Sequence, residues 1–234
     1  MDKLDIASIK VVHRLKGHYI DTKHPIITEN IMGIKRKLGV KQTSKKPILI
    51  NDLKSIINKI DEIKQTEKKK FRDKALILIG FSGGFRRSEL VNIDYEDIEF
   101  VNEGVKIFVK RSKTDQSGEG MIKAIPYFEN KLFCPVTKLK DWINFLEIKS
   151  GKIFEISDKS VALIIKKYIS LSGLDPNKYG GHSLRSGFAT TTAESGAEER
   201  NIMAMTGHKT TQMVRRYIQE ANLFKNNALN KVII

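Results

Sequence analysis

Read for the spacing of its apolar residues, the chain is helical at both ends and extended only in the middle. Ile6, Ile9 and Val12 recur at three-residue intervals, which predicts a helix over residues 3–16 closed by Gly17. Pro25 suits a helix first turn, and Ile27, Ile31, Ile34 and Leu38 line one face as far as Gly39. Two narrow stripes do not enclose a core. This stretch is therefore expected to be part of a small helical domain whose beginning is absent. Residues 39–47 are polar, basic and without period, the composition of a linker.

Beyond Pro47 the apolar density rises. Leu53, Ile56, Ile57, Ile60 and Ile63 form one helical stripe. The Lys68-Lys69-Lys70 run precedes an apolar helix at Ala75–Phe81, which Ser82-Gly83-Gly84 breaks and Arg86–Ile93 restarts. The period then changes. Ile98–Val101, Val105–Val109 and Met121–Tyr127 are short alternating or β-branched runs parted by glycine and polar residues, so they predict three antiparallel strands. Helices return at 135–147, 159–172, 183–195, 197–205 and 211–220. Cys134-Pro135 marks the start of the first of these, and its Trp142 and Phe145 are expected in the core. The fold class is mainly α with a small antiparallel β-sheet (α+β). Three segments are expected: helices and linker at 1–46, a main domain at 47–221 and a tail at 222–234.

Charge narrows the partner. The 234 residues carry 42 Lys+Arg against 27 Asp+Glu, a net charge of +15, which favours a polyanion. A solvated basic surface is the alternative, since the many Ile, Lys and Asn residues also fit an AT-rich genome. The candidate phosphate contacts are Lys35, Arg36 and Lys37 on the second helix, Lys45 and Lys46 in the linker, Arg87 and Arg111. One cysteine, Cys134, allows neither an intrachain disulfide nor a cysteine zinc site. No apolar run approaches the roughly 20 residues that span a bilayer. No signal peptide is present, so the expected location is the cytoplasm, at the nucleoid.

The polar residues that remain are those a tyrosine needs to attack a phosphodiester. A phenol with a pKa near 10 is only about 0.1% ionised at neutral pH, so its proton must be taken during attack. The transition state spreads negative charge over non-bridging oxygens, which planar guanidiniums match with paired hydrogen bonds. The leaving sugar oxygen then needs an acid. The sequence supplies Arg86 after a glycine pair, His182 and Arg185 on one helical turn, then His208 and Tyr217. Gly180-Gly181 frees the backbone to approach a phosphate at the helix that follows. Lys113 falls in the turn between the second and third strands, a suitable place for a mobile acid, with Lys110 and Lys123 as rivals. Glu89, at i+3 from Arg86, is placed to orient it. Each residue also has a structural reading: capping or core histidines, a surface arginine, or an amphipathic-helix tyrosine.

Taken in order, Gly84-Phe85-Arg86-Arg87-Ser88-Glu89-Leu90, Ser112-Lys113-Thr114, His182-Ser183-Leu184-Arg185, Thr206-Gly207-His208 and Arg216-Tyr217 resemble the tyrosine recombinase, or phage integrase, family. The resemblance runs from about residue 48 to about 220 and more weakly through 3–46. It implies a catalytic domain preceded by a partial helical core-binding domain. Tyr217 would form a 3′-phosphotyrosyl bond, leaving a free 5′-hydroxyl. Arg86 and Arg185 would hold the non-bridging oxygens, and Lys113 would protonate the leaving 5′-oxygen. His182 would assist the tyrosine proton, and His208 would bond a phosphate oxygen. Neither cofactor nor metal is implied. The implied partners are double-stranded DNA, a homo-tetramer assembled on it and accessory DNA-bending proteins. The implied activity is integration or excision of a mobile element. A DNA-binding remnant without recombination activity and a type IB topoisomerase are the alternatives. Leu223, Phe224, Leu229, Val232, Ile233 and Ile234 give the tail apolar character, for docking on a neighbouring protomer or on its own domain.

Overall fold

Each apolar stripe in the chain becomes a helix where a cap or a glycine stops it. The computed structural model describes residues 3–39, 45–110, 119–208, 210–222 and 228–231. The chain divides into two compact units, Met1–Ser44 and Lys45–Ile234.

The first unit holds α1 (Lys3–Leu15) and α2 (Pro25–Leu38). His24 opens α2 by accepting a hydrogen bond from the Ile26 amide at 3.3 Å. None of this unit's residues with described side chains is buried, and Leu15, Tyr19, Ile26 and Leu38 lie largely in solvent. Narrow stripes on two helices leave that much apolar surface uncovered.

The second unit runs α3 (Ile50–Glu62), α4 (Glu67–Ser82), α5 (Arg87–Val91), β1 (Ile98–Val101), β2 (Gly104–Val109), β3 (Met121–Pro126), α6 (Pro135–Phe145), α7 (Asp158–Leu171), α8 (Ser183–Glu194), α9 (Glu199–Thr206) and α10 (Thr211–Asn222). Helix α4 begins earlier than the sequence predicts. Thr66 caps it by accepting from the Lys69 amide, so the Lys68–Lys70 run lies inside its first turn. From Ala75 to Ser82 every residue of α4 is buried, which explains why that half has no polar face.

The three strands form an antiparallel meander in the order β1-β2-β3. Between β2 and β3 the register pairs Val105 with Ile125, Ile107 with Lys123 and Val109 with Met121. These rows face the core, because Val105, Ile107, Val109, Lys123 and Ile125 are all buried. A lysine therefore occupies an apolar register position.

The main core joins α3, α4, α6 and α7 to the sheet. Trp142 is buried in it, and its Nε1 donates to the Ile153 carbonyl at 2.8 Å. Phe145 departs from expectation: it sits at the rim, 44% exposed, with its ring stacked on Phe71. Phe145 is the last residue of α6, where the helix ends. The segment before α3 lies against α8. The Ile48 amide donates to the Ser183 carbonyl at 3.0 Å, and a Cβ at Gly187 would come within 2.0 Å of the Ile48 carbonyl oxygen.

A second, smaller cluster consists of Ala189 and Ala193 from α8, Ile202 from α9 and Val214 from α10, with Tyr217 and Ile218 packed on it. In the tail only Ala228–Lys231 is described past α10, as a 3₁₀ turn carrying an exposed Leu229. Leu223, Phe224, Val232, Ile233 and Ile234 lie outside the described residues. Among the described residues no helix is long and apolar enough to cross a membrane.

Candidate active site

The glycine pair at the end of α4 makes the first half of the site. Gly83 caps α4, and Gly84 turns back with φ +55°. The Gly84 amide donates to the Phe81 carbonyl and the Phe85 amide to that of Gly80. This left-handed turn aims Phe85 into the core and delivers Arg86 as the N-cap of α5. Glu89 holds Arg86 from both ends. Its carboxylate accepts from the Arg86 amide at 2.9 Å and from the guanidinium Nη1. The orienting role read from the i+3 spacing is what this geometry provides.

Helix α8 makes the second half. His182 is its N-cap, and Arg185 lies in the first turn, only 1% exposed. Arg185 Nη1 donates to the Gly84 carbonyl at 2.8 Å, so one arginine grips the turn that presents the other. Its Nε and Nη2 are buried with no partner among the described residues. A buried donor left unmatched costs about 1–3 kcal/mol, and more when charged, unless something else accepts from it. Burial, followed by the charge of Arg86, pushes Arg185 down to about 10, which leaves it cationic at neutral pH. Gly181 has a different reason from the one its spacing implied. A Cβ there would meet the Arg87 side chain at 1.9 Å, so the glycine makes room for Arg87. Arg87 also faces Asp158 at 3.9 Å.

His208 follows Gly207, the left-handed C-cap of α9 with φ +63°. Its Nδ1 lies 2.8 Å from Thr206 Oγ1, and that hydroxyl is 2.6 Å from the Ile202 carbonyl. A carbonyl can only accept, so the single hydroxyl proton of Thr206 points to Ile202. The Nδ1–H of His208 must then donate to Thr206. In the neutral ring, Nε2 is therefore a lone pair. Burial, followed by the charges of Arg185 and Arg86, pushes His208 down to about 4. His182 is lowered by the same pair of causes, desolvation first and then Arg185, Arg86 and Arg87. The Tyr217 ring, on α10 of the same chain, lies 6.3 Å from the His208 ring and tilts by 32°. It is also close enough to Arg185 to act on its charge.

Arg86, His182, Arg185, His208 and Tyr217 thus converge at one place. Lys113 and Arg111 lie outside the described residues, so the hairpin acid is not positioned. Of its rivals, Lys110 is paired with Asp94 at 2.7 Å and Asp97 at 3.0 Å. Lys123 is fully buried beneath the site. Among the phosphate-contact candidates, Lys35, Arg36 and Lys37 form the last turn of α2 in the other unit. Lys45 reaches the Asn177 carbonyl, and Lys46 is exposed. Thr206 entered the sequence reading only as part of the Thr206-Gly207-His208 stretch and was given no role, although its hydroxyl meets His208 Nδ1. Lys123 was weighed only as an acid; its inward register between Met121 and Ile125 is the signal that it is buried. Among the described residues no group of three or more His, Cys, Asp or Glu is placed to hold a metal ion.

The model of the phage integrase family matches residues 48–223. An integrase/recombinase xerD homolog of Selenomonas ruminantium is 44% identical over 239 residues, covering 97% of this chain and 69% of that protein. The tyrosine recombinase XerC of Syntrophus aciditrophicus is 30% identical over 159 residues, and the match spans 48% of its length. Among solved structures, XerH recombinase bound to its palindromic difH substrate after cleavage superposes with a TM-score of 0.65 at 20% identity, covering 80% of this chain and 53% of that one. XerA recombinase gives 0.62 at 18% identity, covering 100% and 85%. At those identities the structures speak for the fold.

Proposed function

The chain belongs to the phage integrase family, and from that premise we propose that it is a site-specific DNA recombinase working through a 3′-phosphotyrosyl intermediate. The observation that carries this reading is Arg185, a buried cation whose Nε and Nη2 lack an acceptor among the described residues. An anion with two adjacent oxygens satisfies both donors at once, and a phosphodiester presents such a pair. Arg86, held by Glu89, completes the clamp on the non-bridging oxygens.

In this reading the Tyr217 oxygen attacks the scissile phosphorus and the 5′-oxygen leaves. His182 assists removal of the tyrosine proton, and Lys113 on the strand hairpin supplies the proton to the leaving oxygen. The phosphotyrosine keeps the energy of the broken bond, so a 5′-hydroxyl from another strand can displace Tyr217 and reseal the DNA. His208 Nε2 donates to a phosphate oxygen only once the ring is protonated, and the approaching anion favours that form. The segment 1–46 and its basic residues act as a second DNA-contacting arm, and 47–221 as the catalytic domain. The tail at 222–234 docks on a neighbouring protomer in a tetramer on DNA. The work is done in the cytoplasm on double-stranded DNA, and integration or excision of a mobile element fits it.

The test is covalent capture from a pool of nicked duplexes of random sequence, run with wild type and Tyr217→Phe. Wild type should yield a protein–DNA adduct that survives denaturation, and sequencing the captured strands should give one preferred site. Adduct in equal amounts from both proteins sinks the assignment of Tyr217. Adduct without sequence preference, together with relaxation of any supercoiled plasmid, would favour the topoisomerase.

A further inference from the structure

Strand β3 carries a charge where the sheet calls for an apolar side chain. Lys123 pairs with Ile107 in the inward-facing row, and no part of it is exposed. Its Nζ donates to the Gly83 carbonyl at 2.7 Å and also to the Met205 carbonyl. The ammonium lies 4.6 Å from the centre of the Phe85 ring. Both acceptors share one structural character. Gly83 is the C-cap of α4, and Met205 is in the last turn of α9. Carbonyls at helix C-termini lack intrahelical donors, and partial negative charge accumulates there. One ammonium therefore closes two helix ends.

What lies just past those two ends is the site. After Gly83 come Gly84, Phe85 and Arg86; after Met205 come Thr206, Gly207 and His208. Burying an ammonium is costly. Desolvation, and after it the charges of Arg185 and Arg86, push Lys123 down to about 7, while Glu89 opposes them. For packing alone an apolar side chain of similar length would serve without that cost.

We propose that Lys123 is a positioning residue for strand cleavage, holding the ends of α4 and α9 together so that Arg86 and His208 keep their mutual geometry around the scissile phosphate. The proposal rests on the recombinase reading, but part of its test does not. Lys123→Met keeps length and apolar bulk and removes the donors. On the duplex captured by wild type, adduct formation at saturating protein should slow about 100-fold, the effect of roughly an ångström of misplacement at the reacting centre. Non-covalent affinity for that duplex, measured with Tyr217→Phe in both backgrounds, should stay within about twofold. Hydrogen exchange without DNA supplies the independent arm. The Gly84, Phe85 and Gly207 amides, all hydrogen-bonded in these two turns, should exchange faster in Lys123→Met, with those of α6 and α7 unchanged. Lys123→Arg, which keeps charge and donors, should cleave within about tenfold of wild type.

A wild-type cleavage rate in Lys123→Met overturns the proposal, as does exchange that is unchanged or raised uniformly. If Lys123→Met fails to fold, the arginine variant decides: folding without recovery of cleavage overturns the proposal. If wild type itself forms no adduct, the recombinase reading falls, and the exchange comparison still decides whether Lys123 ties the two turns.

Discussion

Arg185 and His208 are both buried and both depend on what approaches them. For Arg185 the geometry of the fork matters as much as the charge, since Nη1 is committed to Gly84 while Nε and Nη2 are unmatched. Arg185→Lys keeps the charge and loses the paired donors. Single-turnover cleavage should fall about 10²–10³-fold, the usual loss for one preorganised donor. A loss below about threefold would show that the fork is not used. For His208 the depressed pKa gives two expectations. With DNA bound, the phosphate should raise it, and the His208 ring resonances in NMR should titrate at higher pH in the complex than in free protein. In free protein the sign runs the other way. A histidine lowered from its ordinary 6.5 to about 4 contributes stability that is complete above 6.5 and is lost as pH falls toward 4. The loss is at most about 3 kcal/mol. His208→Asn should flatten that acid limb in denaturant melts; an unchanged limb would mean another group controls it. Arg86, Arg185, His208 and Tyr217 were singled out by their order and spacing along the chain and by the family these resemble, and the structure brings them together. Thr206 and Lys123 were not read for what they do. A threonine is unremarked in a helix, and a lysine in a basic chain draws no notice until register shows which way it faces.

At the scale of elements, the site is an assembly of helix ends. Left-handed glycines follow both helices, Gly84 just past the Gly83 cap of α4 and Gly207 as the cap of α9, and each is followed within two residues by a side chain of the candidate site. Gly207→Ala should therefore cost about 1 kcal/mol of stability for its positive φ, with Met121 Sδ at 3.1 Å from the new Cβ adding crowding. Cleavage should suffer more than stability does, because the strain sits beside His208. Matched losses in the two measurements would refute a positional effect. The helices and three strands were legible because their periods are clean. The start of α4 was not, since three consecutive lysines hide the period and only the Thr66 cap marks the true beginning. The fate of Phe145 was not legible either, because a helical stripe does not say where its helix leaves the core.

For the whole molecule, the recombinase reading and the net charge of +15 together make affinity for DNA largely a matter of counterion release. Replacing Lys35, Arg36 and Lys37 together with alanine should lower the slope of log affinity against log salt by about 3 if all three meet phosphates. Cleavage at saturating protein should be unaffected. An identical slope would remove α2 from the DNA interface. The sequence showed the sign of this charge, because composition is a local property. How helix ends distant in sequence gather around one ammonium is a property of packing and was not visible there.

The helix that carries Tyr217 rests on the small cluster of Ala189, Ala193, Ile202 and Val214, apart from the main core. Two alanines, one isoleucine and one valine bury little surface compared with the residues beneath α4, so α10 should be the first part to melt. On warming, strand cleavage should fade several degrees below the temperature at which the helices as a whole unfold, and it should return on cooling. Heat would then disarm the protein before denaturing it, and an activity midpoint that coincides with the calorimetric one would show that α10 melts with the rest.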